Sequence, residues 1–282
     1  ITLHAQFLPA HTIEEDTSKK PPHHLRTSPG FYRLRFEGLP PKTKILSAEI
    51  DRGEGWLPVE SVAELEFGTF GSLYAPVAAQ PLLEPMVWSG AVAFEGHQTL
   101  EQDLIIQPGT TVRLAPGATL VLKGRLLAEG TLERPIRFLS QQAEQAPWGA
   151  IVLMGPGANG SRLTHCEMAG GSGQKGALFE YSAMFSVHDV RGVSVKDCLF
   201  RDSRVVDDMV HTVYADIRFE RTRFENAFAD ALDLDISEAV IIDSRFNHSG
   251  NDAVDLMTAR AHISGSTFVG NGDKGISVGE NS

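Results

Sequence analysis

Asp197-Cys-Leu-Phe200, Arg221-Thr-Arg-Phe224, Asp243-Ser-Arg-Phe246 and Gly265-Ser-Thr-Phe268 are four versions of one phrase, and they decide the fold. Their phenylalanines are spaced 24, 22 and 22 residues apart. An alternating run precedes each one: Val193-Ser-Val195, Ile217-Arg-Phe219, Val240-Ile-Ile242 and His262-Ile-Ser264. A polar turn and a second short apolar run follow: Met209-Val210, Ala231-Leu-Asp-Leu234, Ala253-Val-Asp-Leu256 and Gly275-Ile-Ser-Val278. A period in the low twenties, built from short strands and polar turns, indicates a β-solenoid. Helical repeats would place apolar residues at i, i+3 and i+4, and that pattern is absent. The spaced leucines and asparagine of a leucine-rich repeat are missing too. The expected fold is therefore all-β: a right-handed parallel β-helix with its phenylalanines stacked inside, preceded by a small antiparallel β domain.

Working outward from the repeat, residues 1–29 hold Thr17-Ser-Lys-Lys-Pro-Pro-His-His24 and no sustained period, so they read as an irregular arm or linker. His23 and His24 lack partner ligands and read as part of a solvated loop. Residues 30–85 change character. Phe31-Tyr-Arg-Leu-Arg-Phe36, Ile45-Leu-Ser-Ala-Glu-Ile50 and Ser61-Val-Ala-Glu-Leu-Glu-Phe67 alternate like half-buried strands, separated by Pro40-Pro41 and Gly53-Glu-Gly55. This is the expected antiparallel domain. The solenoid is expected over 86–282, with its last winding left open. An uncapped end exposes strand edges, so further coils or a capping partner are expected there.

Within the solenoid, Leu104-Ile-Ile-Gln-Pro-Gly109 and Thr111-Val-Arg-Leu-Ala-Pro-Gly117 place two Pro-Gly turns eight residues apart, marking tight corners. In order, Pro108-Gly-Thr110, Ala128-Glu-Gly-Thr131, Pro135-Ile-Arg-Phe138 and Trp148-Gly-Ala-Ile151 resemble the opening coils of bacterial right-handed β-helix proteins. That resemblance implies the fold and leaves the activity open. Gly170-Gly-Ser-Gly-Gln-Lys-Gly176 lacks the ending and the strand–loop–helix context of a phosphate loop, and reads as a surface loop between coils.

Composition narrows the partners. The net charge is −11, and from Asp197 onward 16 acidic residues face 8 basic ones, a balance of −8. Duplex nucleic acid is disfavoured, because phosphates need basic side chains. No apolar run reaches the length of a membrane span, so membrane insertion is not expected. The chain starts at Ile1 without a signal-peptide pattern, as processing or excision from a longer protein would produce. Cys166 and Cys198 occupy equivalent places in Leu163-Thr-His-Cys-Glu-Met168 and Val195-Lys-Asp-Cys-Leu-Phe200. On neighbouring coils they suit a stacked pair of small inward residues, and a disulfide is allowed without being demanded.

The recurring acids are the chemical feature. Asp208, Asp230 and Asp252 are spaced 22 and 22 residues apart, and His211, Asp233 and Asp255 run parallel to them three residues on. Asp207 and Asp235 add to the cluster. Coils stack at roughly 4.8 Å, so equivalent acids become near neighbours and next-but-one acids lie nearly 10 Å apart. Either separation that glycosidase carboxylates use is then within reach, and crowded like charges raise a pKa or recruit a cation such as calcium. Aspartates also end strands and cap turns through their own backbone, so a purely structural ladder is the competing reading. Asp208 and His211 are one step out of alternation and share a side only if a turn intervenes.

Ala229-Asp-Ala-Leu-Asp-Leu234, Gly250-Asn-Asp-Ala-Val-Asp255 and Gly272-Asp-Lys-Gly-Ile-Ser277 follow one another much as three motifs of polygalacturonase-type glycoside hydrolases do. The resemblance implies catalytic roles for Asp230 and Asp252. Asn251 stands where that family has a third acid, and Asp273 or Lys274 where it has histidine. Taken together, Asp208, His211, Asp230 and Asp252 are the candidate catalytic residues. Asp233, Asp255 and Lys274 are the candidate substrate contacts, and Asp230 with Asp252 is the candidate metal pair. No cofactor is required, with calcium as the one to consider. The expected function is polysaccharide binding or processing (hydrolase, lyase or epimerase chemistry, if catalytic) by an exported protein that is secreted, periplasmic or at the cell surface. The alternative is a non-catalytic structural or adhesion module of a larger cell-surface protein.

Overall fold

The computed structural model describes residues 49–51, 56–58, 83–142, 146–176, 180–205 and 207–282. The chain divides into two compact units, Ile1–Ala79 and Gln80–Ser282. In the first, Glu49–Asp51 pairs antiparallel with Trp56–Pro58. The arm over 1–29 and the strands expected at 31–36 and 61–67 lie outside the described residues.

The second unit is a parallel β-solenoid. Three sheets of eight strands each run along it, and each winding contributes one strand to every sheet. The first sheet runs from Met86–Trp88 to Arg260–Ser264, the second from Ala91–Phe94 to Thr267–Val269, and the third from His97–Leu100 to Ser277–Val278. No α-helix occurs among the described residues, and none there is long and apolar enough to cross a membrane.

The repeat phrase lies in the second sheet. Phe200, Phe224, Phe246 and Phe268 are in direct register on successive windings. Their rings stack with centroids 5.4, 4.5 and 5.1 Å apart and planes within 12° of parallel. The period thus reports a column of aromatic rings that excludes water from the centre of the solenoid. Each such contact adds about 0.5–1.5 kcal/mol beyond the area it buries.

Corners between sheets are made by single residues in the left-handed region. Asp197, Arg221, Asp243 and Gly265 hold φ of 52°, 47°, 49° and 62° between the first and second sheets. Immediately after each corner comes a small residue with a polar side chain. The thiol or hydroxyl of one winding accepts the backbone N–H of the winding before: Cys166 N to Cys198 Sγ at 3.4 Å, Thr222 N to Ser244 Oγ at 3.2 Å, Ser244 N to Ser266 Oγ at 3.1 Å. Cys166 and Cys198 are therefore rungs of a Cys/Thr/Ser column. Both are buried free thiols.

The third sheet carries the acids. In the strands Asp208–Val213 and Asp230–Asp235, two successive residues enter the core: Met209 with Val210, and Ala231 with Leu232. That double inward step is the bend needed to bring Asp208 and His211, or Asp230 and Asp233, to the same side.

Candidate acid–histidine site

Asp208, His211 and Asp233 converge. One ligand atom from each lies within 4.8 Å of the others. His211 and Asp233 are register partners on adjacent windings, and Asp208 lies three residues before His211 on the same strand. Asp208 is only 4% exposed, which is unusual for a carboxylate. Burial, first, and then the fields of Asp230, Asp207 and Asp235 push its carboxyl up to about 7, although a hydrogen bond with Ser182 partly offsets this. Asp233 is likewise pushed up to about 7, by burial and then by Asp208, with His211 opposing.

Around this trio the structure adds Ser182 and His188, which no repeat position announced, and brings in Asp235 from the expected cluster. Ser182 Oγ lies 2.7 Å from His211 Nδ1. His211 Nε2 faces Asp235 Oδ2 at 3.3 Å and Asp233 Oδ2 at 3.7 Å. His188, from the winding before, meets the His211 ring edge-on at 5.8 Å between centroids. Burial and the neighbouring His211 push its imidazole down to about 4, and its Nε2 is shielded without a hydrogen-bond partner. Ser182 also lines a cleft of about 440 Å3 with Gln174, Lys175, Tyr181, Asp207 and Phe228. The Gly-rich stretch expected as an inter-coil loop forms part of that cleft, through the antiparallel pair Gln174–Lys175 and Glu180–Tyr181.

The other expected site residues are outside the trio, although Asp230 and Asp255 are the register neighbours of Asp208 and Asp233 on the next winding. Asp230 Oδ1 accepts the backbone N–H of Asp252 at 2.7 Å and the side-chain amide of Asn251 at 2.9 Å. Asp252 Oδ1 accepts the N–H of Lys274 at 2.7 Å in the same way. Each carboxylate brackets the turn of the next winding. The paired glycines serve those turns: a Cβ on Gly250 would sit 2.0 Å from Phe228 O, and one on Gly272 2.1 Å from Gly250 O. Asp255 continues the His211–Asp233 row, and its Oδ1 accepts the N–H of Leu256. Lys274 Nζ pairs with Asp273 and lies 3.6 Å from Asp252 Oδ2.

A larger concavity, about 620 Å3, lies over the outer face of the first sheet, between Ser194, Arg218, Val240 and His262. Its charged lining residues are Asp216, Arg218, Glu238 and Arg260, and Arg191 lies 3.8 Å from Asp216. The smaller cleft is the chemically informative one because it opens beside Ser182 and Asp207.

The arrangement can hold a proton on one carboxyl while a neighbouring group accepts one, all near neutral pH. Asp208 and Asp233 are too close for a water to fit as in inverting glycosidases, which need about 6.5–9.5 Å. Two carboxylate oxygens and an imidazole nitrogen at this spacing also form a donor set that a divalent ion could use.

No protein-family model matches the chain, and no curated protein sequence matches it. A solved structure, the alginate lyase from Paenibacillus sp. str. FPU-7, is similar over 57% of this chain and 70% of its own, at 14% identity and a TM-score of 0.28. The motif resemblances to bacterial β-helix proteins and to polygalacturonase-type hydrolases gain no support from these comparisons.

Proposed function

We propose that this chain binds or processes polysaccharide on the outer face of the third sheet, with Asp208, His211 and Asp233 as its working groups. The observation that carries this reading is the convergence of those three side chains from two adjacent windings. A solenoid sets equivalent residues at a repeating spacing along one wall, a geometry suited to a polymer lying along that wall. Asp255 extends the row as a substrate contact, Asp235 stands two residues beyond Asp233 on the same strand, and Lys274 lies one winding beyond Asp252. Asp208 or Asp233 in its neutral form serves as the proton donor, with His211 as the acceptor. Asp230 and Asp252 act mainly as turn brackets in this reading. No cofactor is needed for that proton traffic, and calcium enters only where an acidic polymer must be bridged to carboxylates. Such a substrate would place the protein outside the cytoplasm.

The test is a panel of neutral and uronate-containing polysaccharides. Soluble products are followed by mass spectrometry, and unsaturated ends by absorbance. Cleavage or binding should be lost in Asp208→Asn and His211→Gln while the circular dichroism spectrum is kept. Activity indifferent to both variants would sink the assignment.

The hydrogen bonds of Asp230 and Asp252 favour a second reading, that the ladder is architecture and the chain a structural or adhesion module. The absence of any saccharide binding across the panel would select it.

A further inference from the structure

We propose that Ser182 is a nucleophile, activated by His211 and oriented through Asp235, that cleaves acyl esters. A serine hydroxyl is a weak nucleophile until a base lies within hydrogen-bond reach and a third group orients that base. Both conditions are met here across three successive windings. Ser182 immediately precedes the strand Ala183–His188, and its Oγ is 2.7 Å from His211 Nδ1. His211 sits in Asp208–Val213, and its opposite ring nitrogen is 3.3 Å from Asp235 Oδ2 at the end of Asp230–Asp235. The imidazole is largely enclosed, with 13% of its side chain exposed, whereas Asp235 is 36% exposed.

Space and electrophilic assistance are also present. The cleft beside Ser182 is walled by Gln174, Tyr181 and Phe228, and Phe228 is a 60%-exposed apolar surface that an acyl chain would cover. Asp208 lies beside Ser182, and its carboxyl is held up near 7 mainly by burial; in that neutral form Asp208 is the donor, which leaves the Ser182 hydroxyl proton for His211 Nδ1. A neutral carboxylic acid beside the nucleophile can donate a hydrogen bond to the carbonyl oxygen as that oxygen becomes negative.

The step balances without a further reagent. Ser182 Oγ attacks the ester carbonyl carbon while its proton passes to His211 Nδ1. Asp235 stabilises the imidazolium. The bond from carbonyl carbon to alkoxy oxygen breaks, and the alcohol leaves with the proton from His211. Water, deprotonated by His211, then attacks the acyl-serine, releasing a carboxylic acid and restoring the hydroxyl. The substrate class is an acyl ester, and an ester carried on a saccharide if the reading of the preceding section holds. The relay itself does not depend on that reading.

The experiment uses the full chain with a fluorophosphonate probe, followed by intact-mass and peptide mass spectrometry, beside turnover of p-nitrophenyl acetate. One adduct on the Ser182 peptide is expected, absent in Ser182→Ala and formed about 100-fold or more slowly in His211→Gln. Asp235→Asn should move the inflection of the labelling rate to lower pH, because the imidazolium loses its partner; a merely structural role would leave the inflection in place. Ser182→Cys is a second probe: its thiol should be alkylated by iodoacetamide well below the ordinary thiol range near 8.5. No adduct at Ser182, or labelling indifferent to His211→Gln, overturns the proposal. Zinc binding by calorimetry that requires both His211 and Asp208 also overturns it, because the imidazole would then be a ligand. A labelled Ser182 with no saccharide binding would leave the relay standing and remove the polysaccharide reading. Saccharide cleavage without labelling would do the reverse.

Discussion

Asp230 Oδ1 accepts the backbone N–H of Asp252 at 2.7 Å, one winding further along the solenoid. The acid thereby fastens the turn that begins the next strand of the third sheet, and Asp252 repeats the act for Lys274. Asp230→Ala should cost about 1–3 kcal/mol in urea denaturation, the range for stranding a shielded donor, and Asp230→Asn should cost less because an amide oxygen still accepts. Equal stability of wild type and alanine variant would refute the bracketing role.

Asp208 makes an opposite prediction. Its folded pKa is raised to about 7 from the ordinary carboxyl value of 3.8, so between those values the folded chain holds a proton that the unfolded chain has released. The stability this carboxyl contributes is complete below pH 3.8 and is lost as pH rises to about 7. His188 runs the other way from about 4 to 6.5, since its imidazole is held neutral by burial. A difference measurement isolates Asp208: the melting advantage of Asp208→Asn over wild type should grow from pH 4 to pH 7 and then level off. At about 1.4 kcal/mol per pKa unit the plateau is ~2–4 kcal/mol. An advantage independent of pH would contradict the buried, crowded carboxyl.

The aromatic column gives a prediction about the fold. Phe224 is fully buried and stacks between Phe200 and Phe246. Phe224→Ala should destabilise by about 3–5 kcal/mol, and Phe224→Leu by distinctly less. Equilibrium denaturation with matched m-values checks both.

Cys166 and Cys198 should behave as inert thiols. Burial, above all, pushes the Cys166 thiol well up, and its contact with Cys198 adds to the effect. Ellman's reagent should find almost no reactive thiol in the native protein and two after unfolding, with the melting temperature unchanged by reductant. A melting temperature that drops with reductant would mean the pair is oxidised.

The solenoid was legible because its period repeats in the text: Phe200, Phe224, Phe246 and Phe268 recur at steps of 24, 22 and 22 residues and stack in space. The same arithmetic brought His211 and Asp233 together, because register follows directly from repeat length. Other parts of the site were hidden for physical reasons. Ser182 precedes its strand and belongs to no repeat column, so only the fold reveals its contact with His211. Asp208 and His211 looked out of phase because alternation cannot foresee Met209 and Val210 both turning inward. Asp230 and Asp252 look alike in sequence as catalytic acids and as turn brackets, and only their hydrogen-bond partners distinguish the two.

Hydrogen exchange followed by mass spectrometry, on the full chain with and without an oligosaccharide of the polymer it recognises, tests the polysaccharide-binding proposal most directly. Added protection is expected on Ala183–His188, Asp208–Val213 and Asp230–Asp235, abolished by His211→Gln. Protection confined to the first or second sheet, or none with any oligosaccharide, would contradict it.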